Sequence, residues 1–181
     1  MPQNPQIHLV SRPQGEPLAE NFQLVVQDTP ALTDQQVLVK HEYLSLDPYM
    51  RGRMNDVKSY TLPQPLHSVM IGGTVGEVVE SRHPGFVPGD KVVGMGGWQT
   101  YSVVDASAPG ALRKIDTTHV PISHFLGAVG MPGVTAWHGL VRIIDPKPGH
   151  RVIGLSIVLF IEAPPQLPDP TVSASTQLSK S

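Results

Sequence analysis

Turn-forming residues divide most of this chain into short segments, and this limits the folds that are open to it. Gly and Pro, with 17 and 19 residues, make up about a fifth of the 181 positions. Because both residues interrupt regular structure, the sequence disfavours long helices. Runs rich in β-branched residues lie between the turns, at 7–11, 22–27, 36–44, 69–80, 91–95, 98–104 and 111–115. The pattern predicts a mainly β protein, either a barrel or a sandwich.

Composition excludes several functional classes. The formal net charge is −2 and no basic stripe is present, so neither nucleic acid nor an anionic membrane is predicted as a partner. The absence of Cys excludes disulfides, thiolate catalysis and Cys-based zinc sites. Residues 1–15 lack the pattern of a signal peptide, and the longest apolar run, 152–161, is too short to span a bilayer. We therefore expect a cytoplasmic protein in which 152–161 forms a single buried strand.

Glycines at positions 72, 73 and 76 interrupt the run 69–80. More β-type sequence follows them, whereas a phosphate-binding loop would lead into a helix. We interpret them as marking a bulge or a close backbone approach.

The periodicity becomes helical after about residue 121. Residues 121–133 carry an apolar face, and Pro132 stands where a second helix begins. Apolar residues then recur at spacings of three and four, which predicts a buried stripe made of Val134, Trp137, Leu140, Val141 and Ile144. From about residue 162 the chain is rich in Pro and Ser and poor in apolar residues, so we expect disorder there.

The segment "SLDPYMRGRM", 45–54, contains more than a turn requires. We predict a loop in which Tyr49, like Tyr60 further on, is either a packing residue, a hydrogen-bond donor or a weak acid at a site. Arg51 and Arg53, taken alone, are expected to be solvated. "GMPGVTAW", 130–137, is either an ordinary helix start or a helix N-terminus that binds an anion or a carbonyl group.

Other chemistries find no support. The eight His residues show no metal-ligand spacing, and no Ser stands in a nucleophile elbow, so the sequence predicts neither a metal site nor nucleophilic catalysis.

Four motifs, taken together, resemble one family. They are "YLSLDPYMRGRM" (43–54), "IGGTVGEVVES" (71–81), "PGDKVVGMGGWQTYSVV" (88–104) and "LGAVGMPGVTAWHGL" (126–140). In order and spacing they are similar to the zinc-independent medium-chain dehydrogenase/reductases of the NADPH-dependent alkenal, curcumin and prostaglandin reductase group. Zinc-dependent relatives have Gly-His-Glu where this chain has 72–74, so the resemblance implies no metal.

The resemblance implies a GroES-like, partly open β-barrel with a few helices over residues 1–120. Residues 121–161 would form connecting helices and the first strand of a Rossmann nucleotide-binding domain, and 162–181 a disordered tail. It also implies hydride transfer from NADPH to the β-carbon of an enone, an α,β-unsaturated ketone or aldehyde. Tyr49 and Tyr60 would line the substrate cleft as catalytic residues. Met131, Pro132 and Thr135 would approach the nicotinamide end of NADP(H).

The chain departs from the family after Gly154, where no G-x-x-G turn follows. From this we expect a truncated nucleotide-binding domain and no activity of the chain alone. Two alternatives to an enzyme stay open: a non-catalytic GroES-like binding or assembly module, and a non-functional gene fragment. A small-molecule enone is the expected substrate, and both a monomer and a homodimer are compatible with the resemblance.

Overall fold

The computed structural model of the chain describes residues 2–57, 62–155 and 158–162, the strands from residue 152 onward by their backbone alone. The described chain divides into two compact units, with the division between Met131 and Pro132. The domain boundaries expected from the sequence stay a prediction. Tyr60 and residues 163–181, and with them most of the expected disordered tail, lie outside the described residues.

The first unit is mainly β, as expected. Its eight strands are β1 (Gln3–Leu9), β2 (Phe22–Asp28), β3 (Gln36–Leu44), β4 (Ser68–Val69), β5 (Thr74–Ser81), β6 (Lys91–Gly94), β7 (Tyr101–Asp105) and β8 (Leu112–Lys114). Its helices are α1 (Tyr49–Arg53) and two short 3₁₀ helices, Ala19–Asn21 and Ile122–Leu126. The short strands follow from the turns that separate them, since Pro and Gly end each β-branched run.

The strands form two antiparallel sheets. The larger has the order β7-β3-β5-β6-β8, and the smaller has the order β2-β1-β4. β1 connects them, because the Ile7 amide donates to the Trp98 carbonyl at 2.8 Å and Gln6 forms a bridge with Gln99. Curled in this way, the sheets make the partly open GroES-like barrel that the resemblance implied.

Two groups of buried side chains form the core of this unit. The valine cluster consists of Val37, Val39, Val78 and Val92, which are contributed by neighbouring strands of the larger sheet. The methionine cluster consists of Leu9, Met50, Met54 and Met70, with Phe22, Tyr49, Ile71 and Trp98 packed against it. The first cluster holds the sheet together, and the second holds α1 in place.

Gly76 lies where two strands come unusually close. A Cβ atom at this position would collide with the Lys40 carbonyl oxygen and would lie 2.9 Å from the Cα of His41. The pairing of β3 with β5 is irregular between His41 and Tyr43. The expected close backbone approach is therefore confirmed at Gly76, which has no side chain to obstruct it.

Two segments of this unit differ in detail from the sequence pattern. The glycine-interrupted run 69–80 is divided between β4 and β5, and the residues between them bond to other segments, since the Met70 amide donates to the Ile7 carbonyl at 2.9 Å and the Gly97 amide donates to the Gly72 carbonyl at 3.0 Å. The segment 45–54 is not wholly a loop, because Tyr49–Arg53 forms the helix α1. Five residues that include a Gly have little helical propensity of their own, so α1 depends on its tertiary contacts.

The second unit carries most of α2 (Met131–His138), a π-helical segment (Gly139–Ile144), and the strands β9 (Arg151–Leu155) and β10 (Val158–Glu162). β9 and β10 pair antiparallel, so the prediction of a single strand over 152–161 is wrong. The predicted buried stripe is also wrong: α2 contains no buried residue, and Trp137 is 53% exposed. Periodicity identifies the apolar face of a helix but does not show whether another element covers it.

Candidate functional site

The ends of three strands meet at one edge of the larger sheet. Leu44 at the end of β3 pairs with Thr74 at the start of β5, and Thr74 pairs with Gly94 at the end of β6. The segments that leave these strands stay close together, since the Ser45 amide donates to the Gly73 carbonyl at 2.9 Å. We call this edge the site edge, because the segment 45–54 begins here.

Helix α1 is fixed beside the site edge by its buried methionines. Met50 and Met54 lie one turn apart, and both point into the methionine cluster. Tyr49 is half-buried and packs against the same cluster. The structure therefore places Tyr49 on a short helix whose inner face is held by packing.

Hydrogen bonds of two arginines, one in α1 and one in the loop between β1 and β2, join these two segments. The Arg51 guanidinium donates to the carbonyl oxygens of Gly15 at 2.7 and 2.9 Å and of Pro13 at 3.3 Å. It also donates to Asn55 at 2.6 Å, and Arg12 donates back to the Met54 carbonyl at 2.8 Å. The expectation that Arg51 is simply solvated is wrong, because its planar fork of donors matches the carbonyls of the loop between β1 and β2.

Gln64 fastens the far end of the segment that follows α1. Its amide nitrogen donates to the Ser68 hydroxyl at 2.9 Å and the Val69 carbonyl at 3.0 Å, and its oxygen accepts from the Ile71 amide at 3.2 Å. Its backbone amide donates to the Arg53 carbonyl at 2.7 Å. Sequence reasoning missed this residue, since a lone Gln after a Pro carries no signal of burial.

Close packing at the site edge means that a side chain at residue 72 would displace its neighbours. A Cβ atom on Gly72 would lie 2.6 Å from a Leu44 methyl carbon and 3.1 Å from both the Met50 methyl and the Trp98 ring. Three elements therefore converge on one glycine. This contact connects the sheet, α1 and Trp98, so a displacement of one would shift the other two.

Exposed apolar side chains border the site edge. They are Leu44, Leu46 and Met95, which are 37%, 71% and 58% exposed. Leu46 comes two residues after the end of β3, and Met95 directly follows β6. Apolar side chains at the end of the sheet where the segment carrying Tyr49 begins offer surface that a small, partly apolar molecule would contact.

His41 is a functional candidate that the sequence did not single out. Its Nε2 lies 2.9 Å from the Ser102 hydroxyl, while its Nδ1 is buried without a hydrogen-bond partner. Burial lowers the pKa of His41 from 6.5 to about 4, because desolvation penalises the charged imidazolium. The ring touches the place where a Gly96 side chain would be, so His41 is neutral at pH 7 and closely packed. Ser102 is 61 residues away in sequence, so no local motif reveals the pair.

The remaining predicted site residues lie on α2 or outside the described residues. Met131, Pro132 and Thr135 are in the first turns of α2, and all three are exposed, Met131 by 76%. Tyr60 lies outside the described residues. Across the residues that are described, no three His, Asp or Glu side chains come together in a group that could hold a metal ion. None of the helices in that part of the chain is long and apolar enough to cross a membrane.

Comparison with known proteins gives a consistent result. A family profile described as the N-terminal domain of oxidoreductase matches residues 5–112. The chain is 48% identical over 145 residues to the NADPH-dependent curcumin reductase of Escherichia coli (strain K12), covering 80% of this chain and 41% of that protein. It is 43% identical over 117 residues to the NADP(+)-dependent 2-alkenal reductase of Nicotiana tabacum, covering 64% and 34%.

A solved structure agrees with these relatives. The crystal structure of CurA from Vibrio vulnificus in complex with NADPH superposes with a TM-score of 0.73 at 45% identity, covering 80% of this chain and 42% of that one. The chain thus spans about two fifths of the length of the relatives it matches.

Proposed function

The chain belongs to the medium-chain dehydrogenase/reductase family, with the N-terminal oxidoreductase domain of that family, and from this premise we propose that it forms the substrate-side barrel of an NADPH-dependent enone reductase. The reaction would reduce the C=C bond of an α,β-unsaturated ketone or aldehyde. The names of the curcumin and 2-alkenal reductases support this substrate class. The observation that carries the proposal is the half-buried Tyr49, held by α1 beside an apolar sheet edge.

Tyr49 would act on the carbonyl oxygen of the substrate. Its hydroxyl would donate a hydrogen bond to that oxygen, where negative charge develops as the β-carbon is reduced. A donor helps most when it is positioned before the reaction, and the packing of Met50 and Met54 under α1 supports such positioning. Protonation at the α-carbon would complete the reduction. Tyr60 would line the same cleft.

The apolar side chains at the site edge would bind the rest of the substrate. Leu44, Leu46 and Met95 leave much of their surface exposed, and burying it against an unsaturated chain is favourable. Methionine and leucine side chains adapt to different shapes, which suits a range of apolar enones. These residues would therefore affect KM more than kcat.

NADPH supplies the hydride in this chemistry. We propose that Met131, Pro132 and Thr135, which are exposed in the first turns of α2, would contact its nicotinamide end. A pyrophosphate needs a glycine-rich turn from a strand into a helix. In the described residues β9 pairs instead with an antiparallel strand, so these residues do not fit that half of the cofactor. We infer that turnover requires the nucleotide-binding domain of the family in addition to this barrel.

A chimaera tests the proposal directly. Residues 1–145 of this chain would replace the matching part of the E. coli curcumin reductase, and consumption of NADPH would be followed with a 2-alkenal. We expect turnover, with kcat lowered roughly 100-fold by Tyr49→Phe, the usual effect of removing one donor to a developing oxyanion. Tyr101→Phe, which alters a phenol on β7 instead, is the matched control and should change kcat little.

Two results would contradict the proposal. A folded chimaera that binds NADPH but reduces no enone would show that this barrel is not a substrate domain. Unchanged kcat in Tyr49→Phe would assign Tyr49 to packing. Titration of the 181-residue chain with NADPH tests separately the inference that a further nucleotide-binding domain is needed. Tight binding would contradict it, because the chain would then hold the pyrophosphate by itself.

A further inference from the structure

Strand β2 forms an uncovered edge of the smaller sheet. The order β2-β1-β4 leaves one side of β2 without a neighbouring strand in the described chain. Leu24 and Val26 are 63% and 52% exposed, although both are apolar. The strand, Phe-Gln-Leu-Val-Val-Gln-Asp, contains no Lys, Arg or Pro, the residues that usually protect an edge from pairing.

The hydrogen bonds of β1 show which groups of β2 point outward. Pro5 and Ile7 use their backbone groups on the side away from β2, since the Pro5 carbonyl accepts from Thr100 and the Ile7 carbonyl accepts from Met70. In an antiparallel pair these directions alternate from residue to residue. Gln6 therefore faces its partner Val25 on β2.

The same alternation continues along β2. Gln23, Val25 and Gln27 direct their backbone groups toward β1, because they pair with the residues of β1 that face them. Leu24 and Val26 consequently direct both N–H and C=O groups away from the sheet. These outward groups are available to another strand.

The sequence of β2 is nearly symmetric about Val25. A two-fold axis through Val25 would pair Gln23 with Gln27 of a second copy and Leu24 with Val26. The even-numbered residues, whose backbone groups point outward, would then meet even-numbered residues, as an antiparallel ladder requires. In the interior of the strand Gln would face Gln and apolar would face apolar, while Phe22 would face Asp28 at each end, so no two like charges would be opposed.

The other sheet edges offer less backbone to a second strand. The backbone of Tyr101 on β7 is covered by the side chain of Asn4, which donates to its carbonyl and accepts from its amide, both at 2.8 Å. β8 has three residues, of which Arg113 and Lys114 are exposed and charged. β4 has only two residues. Among the described edges of the first unit, β2 alone is long, uncharged in its interior and apolar.

We propose that β2 pairs antiparallel with β2 of a second copy of this chain, about a two-fold axis at Val25. The two smaller sheets then join into one sheet of six strands, with a continuous apolar patch formed by Leu24 and Val26 of both copies. The interface is isologous and closes on itself, so it gives dimers rather than fibres. A pairing of seven-residue strands is smaller than the usual protein interface of about 800 Å² per partner. The dimer therefore depends on concentration.

Sedimentation equilibrium of the 181-residue chain over a concentration series tests this proposal. We expect a monomer–dimer equilibrium whose dissociation constant rises at least roughly tenfold in Val26→Lys, because two like charges then lie in the apolar patch. The double variant Leu24→Glu/Val26→Lys should recover dimers, because the proposed register sets the introduced carboxylate of each copy opposite the introduced ammonium of the other. Val87→Lys adds the same charge at a residue of similar exposure, 56%, and should dimerise like the original chain.

Amide hydrogen exchange gives a second test on the unaltered chain. Raising the protein concentration should slow exchange at Leu24 and Val26 and leave Val25 unchanged, since β1 already protects Val25. The proposal is overturned by a chain that stays monomeric at all concentrations, by a Val26→Lys variant that dimerises normally, or by a double variant that stays monomeric. Exchange at Leu24 and Val26 that is independent of concentration would overturn it as well.

Discussion

The two core clusters of the first unit support their surroundings by different means. The valine cluster joins neighbouring strands with β-branched side chains that have few rotamers, and Val39 pairs directly with Val78. The methionine cluster supports α1 with Met50, Met54 and Met70, whose unbranched thioether chains adapt their shape. The sheet therefore has the more rigid core, and the helix that carries Tyr49 has the more adaptable one.

Substitution of glycine separates the two regions most strongly. Gly76→Ala places a methyl group against the Lys40 carbonyl between two strands, so we expect the free energy of unfolding to fall by about 3 kcal/mol. In α1, the methyl group added by Gly52→Ala meets no atom within 4 Å. This substitution should raise the free energy of unfolding by about 0.5–1 kcal/mol, the difference in helix propensity between Gly and Ala. Urea unfolding measures both. Equal effects at the two positions would contradict the comparison.

Acid should weaken the sheet through His41, which lies on β3. Its pKa is lowered to about 4 in the folded protein, so between pH 4 and 6.5 the unfolded chain binds more protons than the folded one. The contribution of His41 to the free energy of unfolding is fully present above pH 6.5 and is lost as the pH falls towards 4. We expect unfolding at pH 5 to require about 2 kcal/mol less than at pH 7.

His41→Gln provides the control for this pH effect. The variant keeps a polar side chain near Ser102 but cannot be protonated in this range, so its stability should change much less between pH 7 and pH 5. Urea unfolding at both pH values gives the two differences. An identical pH dependence in the variant would assign the effect to other groups.

Conservative changes of side-chain shape sharpen the comparison further. Met54→Leu keeps the volume of the methionine cluster and should change the free energy of unfolding by less than about 1.5 kcal/mol. Val39→Ile adds one methylene to the valine cluster and should cost about 1–3 kcal/mol, because the strands leave no free space. The urea midpoints of the two variants test whether Val39→Ile costs more stability than Met54→Leu. A larger loss of stability in Met54→Leu would contradict this ranking.

Local sequence patterns located most strands of the first unit, and the reason is physical. The run 36–44 matches β3 residue for residue, because β-branched residues between turns favour extended backbone wherever they are placed. Gly76 was recognisable because a glycine inside such a run often marks a bulge or a close backbone approach. The resemblance of four motifs then identified the family, which periodicity alone does not reveal.

The features that were missed all depend on distant partners. Helix α1 forms because Arg51 reaches the carbonyls at 13 and 15 and because Met50 and Met54 find Leu9, and none of these partners is local. Burial of His41 requires Ser102 and Gly96 from other parts of the chain. The apolar stripe on α2 was predicted to be buried for the same reason. The spacing of apolar residues along a helix does not show whether another element packs against that face.

The anchoring of Gln64 has a consequence for how such a barrel can diversify. The bond between the Gln64 amide and the Arg53 carbonyl, together with the side-chain bonds of Gln64 to Ser68, Val69 and Ile71, closes the intervening segment at its base. Doubling the length of a closed segment costs only about 0.6 kcal/mol in loop entropy. We therefore expect the sheet to keep its stability when the chain between 57 and 62 is lengthened. A connection that is closed at its base can thus vary in length among barrels that share one scaffold.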